Sequence, residues 1–295
     1  MSEKDAKMGV ERIVFLNGDF VAESNAKLSI FDRGLLFADA VYEGFGVIDS
    51  QIVDFEYHIH RLERSCGELA MVSPMDKDEL FVMLMRLIAE NTLVEGFLYL
   101  HVTRGEGDRS FFYNDDYKPN IFAFTQGAKF IADDPAPAVK VLTAPDLRWV
   151  RRDIKTTNLL AQVMAKQAAH EAGAYEAVMI DEDGFITEAG SSSFFFIKNE
   201  TLIVRPVSNE ILHGITRQTM LRVASEQGIA VEERVYKLEE ALAADEAFLT
   251  AASIYVLPVS HIDDTVIGDG MPGDYTLALR AGFLKTARAE FYQPS

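Results

Sequence analysis

Cysteine is nearly absent: Cys66 is the only one in 295 residues. No intrachain disulfide is possible, and a zinc site built on cysteine thiolates is excluded. Positive charge is scarce as well. The 28 Lys and Arg residues are outnumbered by 46 Asp and Glu, for a formal net charge of -18. That balance argues against nucleic acid or an anionic membrane surface as a partner. No apolar run approaches the length of a membrane-spanning helix. The partial glycine pattern at Gly105-Glu106-Gly107 lacks a third glycine and a following helix, so it fails as a dinucleotide fingerprint. No phosphate-binding P-loop, metalloprotease helix or nucleophile-elbow serine occurs either. With one cysteine and no secretory signal read in the chain, a reducing, cytoplasmic setting is expected.

What is present suits a folded, water-soluble protein. Apolar residues make up 48% and charged residues 25%, enough for a full core. The length fits one large domain or two ordinary ones. Asn17-Gly18-Asp19 is a hairpin signal, and Asp49-Ser50 joins a second hairpin, 41–48 with 51–55. Apolar spacing predicts helices over 58–71, 76–93, 159–171, 216–227 and 275–291. Strands are expected at 98–103, 121–125, 139–142, 177–180, 194–197, 202–204 and 231–235. Ile131-Ala132-Asp133-Asp134-Pro135-Ala136-Pro137-Ala138 breaks the periodicity, as a linker does. The expected organisation is α+β in two domains, 1–130 and 139–295, joined by the linker 131–138, with a site between them. Met1 to Lys7 reads as a polar, frayed extension.

Three clusters carry chemistry. Lys155 follows the basic Arg151-Arg152 and precedes the apolar Leu159-Leu160, a setting that activates an amine as a nucleophile. The bland alternative is a lysine paired with Asp153. Glu188 stands before Ala189-Gly190-Ser191-Ser192-Ser193 and the apolar Phe194-Phe195-Phe196. A carboxylate in that small-residue loop is expected to be partly buried and in need of a cation, unless it is a turn residue facing water. Gly214-Ile215-Thr216 opens a helix whose amides and hydroxyl suit an anion, or else form an ordinary N-cap. Arg61, within His58-Ile59-His60-Arg61, suits forked contact with phosphate, although most helix arginines face solvent. His58 and His60 point to different sides of a helix and are read as structural, so no metal is expected. The turn Ala251-Ala252-Ser253 offers one more hydroxyl. An amine, a carboxylate and an anion cup are what pyridoxal phosphate needs for its aldehyde, its ring nitrogen and its phosphate. In so acidic a chain such a site must be positive against the average, which singles out Arg61, Arg109, Arg151, Arg152, Lys155 and Arg217.

A series of segments then adds a family resemblance. Phe31-Asp32-Arg33-Gly34, Asp39-Ala40-Val41-Tyr42-Glu43, residues 58–62, Val102-Thr103-Arg104-Gly105, residues 153–160, Ala165-Lys166-Gln167, Tyr175-Glu176-Ala177, Thr187-Glu188 and residues 213–217 occur in order. Together they resemble the class IV aminotransferases, the fold-type-IV pyridoxal-phosphate enzymes, and within these the bacterial D-amino-acid branch. The resemblance implies a homodimer of two-domain subunits with the cofactor between the domains. It implies that Lys155 bonds the cofactor and carries the substrate proton, and that Glu188 keeps the ring nitrogen protonated. Arg61, the amides of Ile215 and Thr216, the Thr216 hydroxyl and Ser253 are implied to hold the phosphate. Tyr42 and Arg109 are implied to grip the substrate carboxylate, with Arg109 arriving from a partner subunit. Phe111 stands where the best-known D-amino-acid enzymes have a histidine, and Ser193 where the family signature has an asparagine. The implied reaction transfers the amino group of a D-amino acid, such as D-alanine or D-glutamate, to a 2-oxo acid. Alternatives on the same fold are a branched-chain L-amino-acid transaminase, an (R)-selective amine transaminase and an aminodeoxychorismate lyase. A non-catalytic scaffold is the rival of another class, and Lys155 with Glu188 argues against it.

Overall fold

Residues 11–114, 116–129 and 136–294 are described by the structure, a computed structural model. The extension 1–7 and residues 131–135 of the linker lie outside the described residues. Both hairpin signals are realised. Ile13–Leu16 (β1) and Asp19–Ala22 (β2) pair across Asn17-Gly18, both at positive φ, the turn whose twist matches the flanking strands. Asp32 then accepts from the Gly34 amide and caps a short helix, Arg33–Phe37 (α1); five residues are too few for its apolar period to show in the sequence. Ala40–Ile48 (β3) and Gln51–Ile52 (β4) pair across Asp49-Ser50.

Two helices follow. Phe55–Glu68 (α2) starts at Phe55 rather than His58, because Asp54 takes a left-handed conformation (φ 55°) that turns the chain directly from β4 into the helix. Lys77–Glu90 (α3) begins at a reciprocal cap, in which Asp76 and Glu79 each accept from the other's backbone amide at 2.9 Å. Gly96–Thr103 (β5) and Asn120–Gly127 (β6) complete a six-stranded sheet in the order β2-β1-β6-β5-β3-β4, antiparallel throughout. Strand side chains alternate faces. Val41, Phe45 and Val47 of β3 pack against Phe55, Ile59, Leu62, Leu84 and Leu87 of the helices. Tyr42, Gly44 and Gly46 face the other way, toward the rest of the chain.

The remaining elements are Val139–Pro145 (β7), Leu160–Glu171 (α4), Glu176–Ile180 (β8), Ile186–Ala189 (β9), Ser193–Lys198 (β10), Thr201–Val204 (β11), Ile215–Glu226 (α5), Ala230–Glu233 (β12), Leu238–Leu242 (α6), Glu246–Ala251 (β13), Tyr255–Ile262 (β14), Thr265–Val266 (β15) and Asp274–Ala289 (α7). Their sheet runs β12-β11-β10-β13-β14-β7-β8-β9, with β15 paired to β14. β7 and β8 are parallel, as are β11 and β12. Parallel neighbours need a crossover, and α4 and α5 supply these two. Met220 and Val223 of α5 and Leu279 and Phe283 of α7 cover Phe195, Ile197, Leu202 and Phe248 of the sheet. Ile48 and Val53 from the β3–β4 hairpin enter that same core, so the two sheets are packed into one another. Glu188, expected in a loop, lies instead in the short strand β9, whose four residues are all buried. A strand so short and buried on both faces shows no alternation in sequence.

Gly46 marks a close approach of the two sheets. A Cβ there would stand 2.6 Å from the carbonyl oxygen of Ala252 and 3.0 Å from the Tyr255 hydroxyl. Gly46→Ala is therefore expected to destabilise the protein by about 1–3 kcal/mol, the usual scale of overpacking. Chemical denaturation would measure this, and an unchanged midpoint would show that the turn at Ala252 gives way freely.

Candidate active site

A cavity of about 200 Å³ opens where the pocket-facing side of β3 meets the second sheet. Lys155, Tyr42, Arg61, Glu188, Ile215, Thr216 and Ser253 all line it. Arg109 and Phe111 do not; they sit on the exposed loop after β5. Of the other arginines singled out, Arg152 and Arg217 reach the cavity wall. Arg151 turns away to Glu68 and Asp153.

Lys155 lies in the loop between β7 and α4, and that loop is stitched to the first sheet. Its carbonyl accepts from the Tyr42 amide at 3.0 Å, its own amide donates to Ser65 Oγ at 3.3 Å, and Thr156 bridges to Val41. The side chain points over Tyr42, with Nζ 3.4 Å from the hydroxyl and 4.4 Å from the ring centre. Asp153, the bland partner, is held by Arg151 at 2.9 Å and by Arg64. Among the described residues no carboxylate lies within ion-pair distance of Lys155 Nζ.

Glu188 is 6% exposed, and here the expectation from sequence needs correcting. It already has a cationic neighbour, Arg148, whose Nη1 donates to Oε1. Arg148 is itself held by Asp146 through Nε at 2.9 Å and Nη2 at 2.8 Å. Burial pushes the Glu188 carboxyl up, and Arg148, the Leu212 amide and Lys155 only partly pull it back, so it stays above the ordinary carboxylate range. The Leu212 amide, at 3.1 Å, falls on Oε1 as well. Oε2 has no partner among the described residues. Arg148 extends the basic run toward the N-terminus; spacing alone does not separate it from Arg151 and Arg152.

Arg61 is not a solvated helix arginine. Its Nε and Nη2 donate to the two oxygens of Glu43 at 2.8 Å each, and Nη1 donates to the His213 carbonyl at 2.9 Å. His58 Nδ1 lies 2.6 Å from Glu43 Oε2. His60 is exposed. Among the described residues no group of three or more His, Cys, Asp and Glu is placed to hold a metal. Gly214 precedes α5 and no side chain caps that helix, which leaves its first amides and the Thr216 hydroxyl available to an anion. Thr250, which also lines the cavity and is 2% exposed, has a hydroxyl without a partner among the described residues. No local pattern in the sequence marks Thr250, Arg148 or Glu43 as a site residue.

The family model described as amino-transferase class IV matches residues 40–262. The chain belongs to the class IV aminotransferases. It is 38% identical to a D-alanine aminotransferase of Bacillus licheniformis over 89% of this chain and 93% of that protein. A D-alanine aminotransferase of Staphylococcus epidermidis is 36% identical over 92% and 96%. A putative branched-chain-amino-acid aminotransferase of Methanocaldococcus jannaschii is 34% identical over 92% and 94%. The fold matches that of a branched-chain amino acid aminotransferase solved with pyridoxamine 5'-phosphate, with a TM-score of 0.87, 24% identity and 95% of each chain covered. No helix among the described residues is long and apolar enough to cross a membrane.

For this aminotransferase the Glu43–Arg61 pair has a pH signature. Burial pushes the Glu43 carboxyl up, but Arg61 and then His58 outweigh it and hold it at about 2, below the usual 4.5. A depressed acid stabilises the fold above its unfolded pKa and loses that contribution as pH falls through its folded pKa. Stability is expected to decline from pH 4.5 toward pH 2, and Glu43→Gln to lower stability at neutral pH while flattening that decline. Denaturation midpoints across the range test this; a Gln variant with the wild-type acid slope would assign the slope to other groups.

Proposed function

We propose that this class IV aminotransferase moves the amino group of a D-amino acid to a 2-oxo acid, with pyridoxal phosphate as cofactor. The observation that carries the reading is one cavity that holds, among the described residues, an amine with no carboxylate partner, an uncapped helix start and a buried acid with one oxygen unpartnered. The D-alanine aminotransferases among its relatives supply the substrate class. The residues present fit the cofactor. Arg61, the Ile215 and Thr216 amides, the Thr216 hydroxyl and Ser253 would hold the phosphate, and the orphaned Thr250 hydroxyl suits the same polar wall. Glu188 Oε2 would face the ring nitrogen, with Arg148 keeping the carboxylate in place.

Bound there, pyridoxal phosphate supplies an aldehyde that bonds amines and a ring that withdraws electrons from the bonded carbon. Lys155 Nζ would be the attachment point for that aldehyde, and as a free amine it would serve as the base and acid that carry the proton from the substrate α-carbon. The Tyr42 hydroxyl, 3.4 Å away, orients Nζ. Glu188 would keep a proton on the ring nitrogen by pairing with its charge. Packing between the two sheets shields these groups from bulk water, which strengthens each electrostatic contact.

The two sheets are read as two domains joined through 131–138, and the working unit as a cytoplasmic homodimer. The exposed position of Arg109 supports the dimer, since in one chain it reaches no part of the cavity; Arg109 and Phe111 of the partner subunit would then border the substrate carboxylate. Phe111 and Phe112 are 75% and 87% exposed, as suits residues covered by a partner. A buried, lone Cys66, its thiol pushed up to about 12 by burial, suits the reducing compartment. A branched-chain L-amino-acid transaminase is the second reading, favoured by the Methanocaldococcus relative.

Holoprotein is expected to show a visible absorption band that shifts on adding D-alanine. Lys155→Ala should lose both the band and turnover. A protein that stays colourless with excess pyridoxal phosphate would sink the reading. A panel of D-alanine, D-glutamate, L-leucine and (R)-1-phenylethylamine against pyruvate and 2-oxoglutarate decides the substrate. Preference for L-leucine would select the second reading.

A further inference from the structure

Lys166 and Glu176 belong to segments that resemble the family but have no part in the chemistry above. Glu176 opens β8 and is 1% exposed. Its Oε2 accepts from Lys166 Nζ at 2.8 Å, from the Ser191 hydroxyl at 2.8 Å and amide at 3.3 Å, and from the Ser192 hydroxyl at 3.3 Å. Its Oε1 accepts from the Ala177 amide at 2.9 Å. Lys166 Nζ also donates to Ser191 Oγ at 2.7 Å. Gly190 fits beneath this pair because it has no side chain: a Cβ would stand 2.8 Å from Lys166 Cγ and 2.9 Å from Glu176 Oε1. The turn they grip, Ala189 to Ser192, lines the cavity and directly follows Glu188.

We propose that the Glu176–Lys166 pair is a positioning element of the active site, fixing the turn after Glu188 relative to the helix that follows Lys155. Lys166 rides on α4, whose first residue is five places after Lys155 in the chain. Glu176 is on β8, the neighbour of the strand that carries Glu188. One carboxylate thus joins the segment bearing the amine to the segment bearing the acid. Charge-assisted hydrogen bonds hold such geometry more firmly than neutral ones. Placing catalytic groups to within a fraction of an ångström needs this kind of support.

The inference rests on the reading that the cavity holds pyridoxal phosphate. Its test uses that cofactor, titrated into the apoprotein, with affinity and the position of the visible band as readouts. Glu176→Gln keeps the volume and an oxygen for the Ala177 amide but removes the charge and an acceptor for the serines. It is expected to bind the cofactor about tenfold more weakly, the scale of one charge-assisted hydrogen bond, with a displaced band. Ser191→Ala, at an exposed position, cuts the same link without stranding a buried charge. It is expected to shift affinity and band in the same direction while its melting temperature stays at the wild-type value. If both variants bind with wild-type affinity and an unmoved band, the pair is only a structural ion pair and the proposal falls, even if Glu176→Gln melts earlier. If the wild-type protein shows no band that depends on Lys155, the functional reading fails instead.

Discussion

A few backbone hydrogen bonds between Lys155–Thr157 and β3 decide where everything else in the site can be. Lys155 belongs in sequence to the half of the chain that builds the second sheet. Its carbonyl nevertheless accepts from Tyr42, and the Thr157 amide donates to Ala40 at 3.2 Å. These contacts bring the amine beside the Tyr42 hydroxyl and onto the side of β3 opposite its helices. The helix side of the same strand holds Glu43, which anchors Arg61. One strand therefore sets both the amine and the principal arginine. The tight fit of Gly46 against Ala252 brings the Ser253 turn to the same place.

Around that seam, the acidic character of the chain is put to structural use. Glu43 orders Arg61, Asp146 orders Arg148, and Asp153 takes up Arg64 and Arg151. Each carboxylate is almost fully buried, so each would be costly without its partner. These pairs leave Lys155 as a cavity-lining cation with no carboxylate at ion-pair distance among the described residues. A chain of net charge -18 thus presents a cavity lined by Arg61, Arg148, Arg152, Lys155 and Arg217. An anionic cofactor meets cations that are already oriented, so little ordering is left to be done on binding.

Much of this was legible in sequence, for reasons that differ by residue. The Asn17-Gly18 and Asp49-Ser50 hairpins and the long amphipathic helices follow from local geometry, which a short window of sequence contains. Lys155, Arg61 and Thr216 stood out because each sits at a helix or beside a basic run, and the ordered family segments tied them to Glu188. What escaped was set by contacts distant in the chain. Arg148 reaches Glu188 across 40 positions, and no local pattern marks it off from Arg151, which faces elsewhere. Glu43 reads as one acidic residue in an apolar strand until α2 folds over it. β9 has too few residues to show a period, so Glu188 looked like a loop residue.

The loop carrying Arg109 shows how a charge can be held without being used up. Arg33 donates to the Ser110 carbonyl at 2.7 Å and pairs with Asp39 at 2.8 Å, which pins the loop to α1. Phe37 and Phe111 then lie with their ring centres 5.5 Å apart and their planes tilted by 51°, and the Arg109 guanidinium lies 5.4 Å from each. An aromatic face attracts a cation but takes none of its directed N–H donors. Arg61, by contrast, spends three donors on Glu43 and His213. Among the described residues Arg109 is therefore placed with no hydrogen bond or ion pair on its fork, the state that the proposed contact with a planar carboxylate requires. A phenylalanine at 111 supports the arginine as a histidine can, but its ring carries no hydrogen-bonding group. On the proposed reading, in which this loop of a partner subunit borders the substrate carboxylate, recognition there would rest on the single guanidinium.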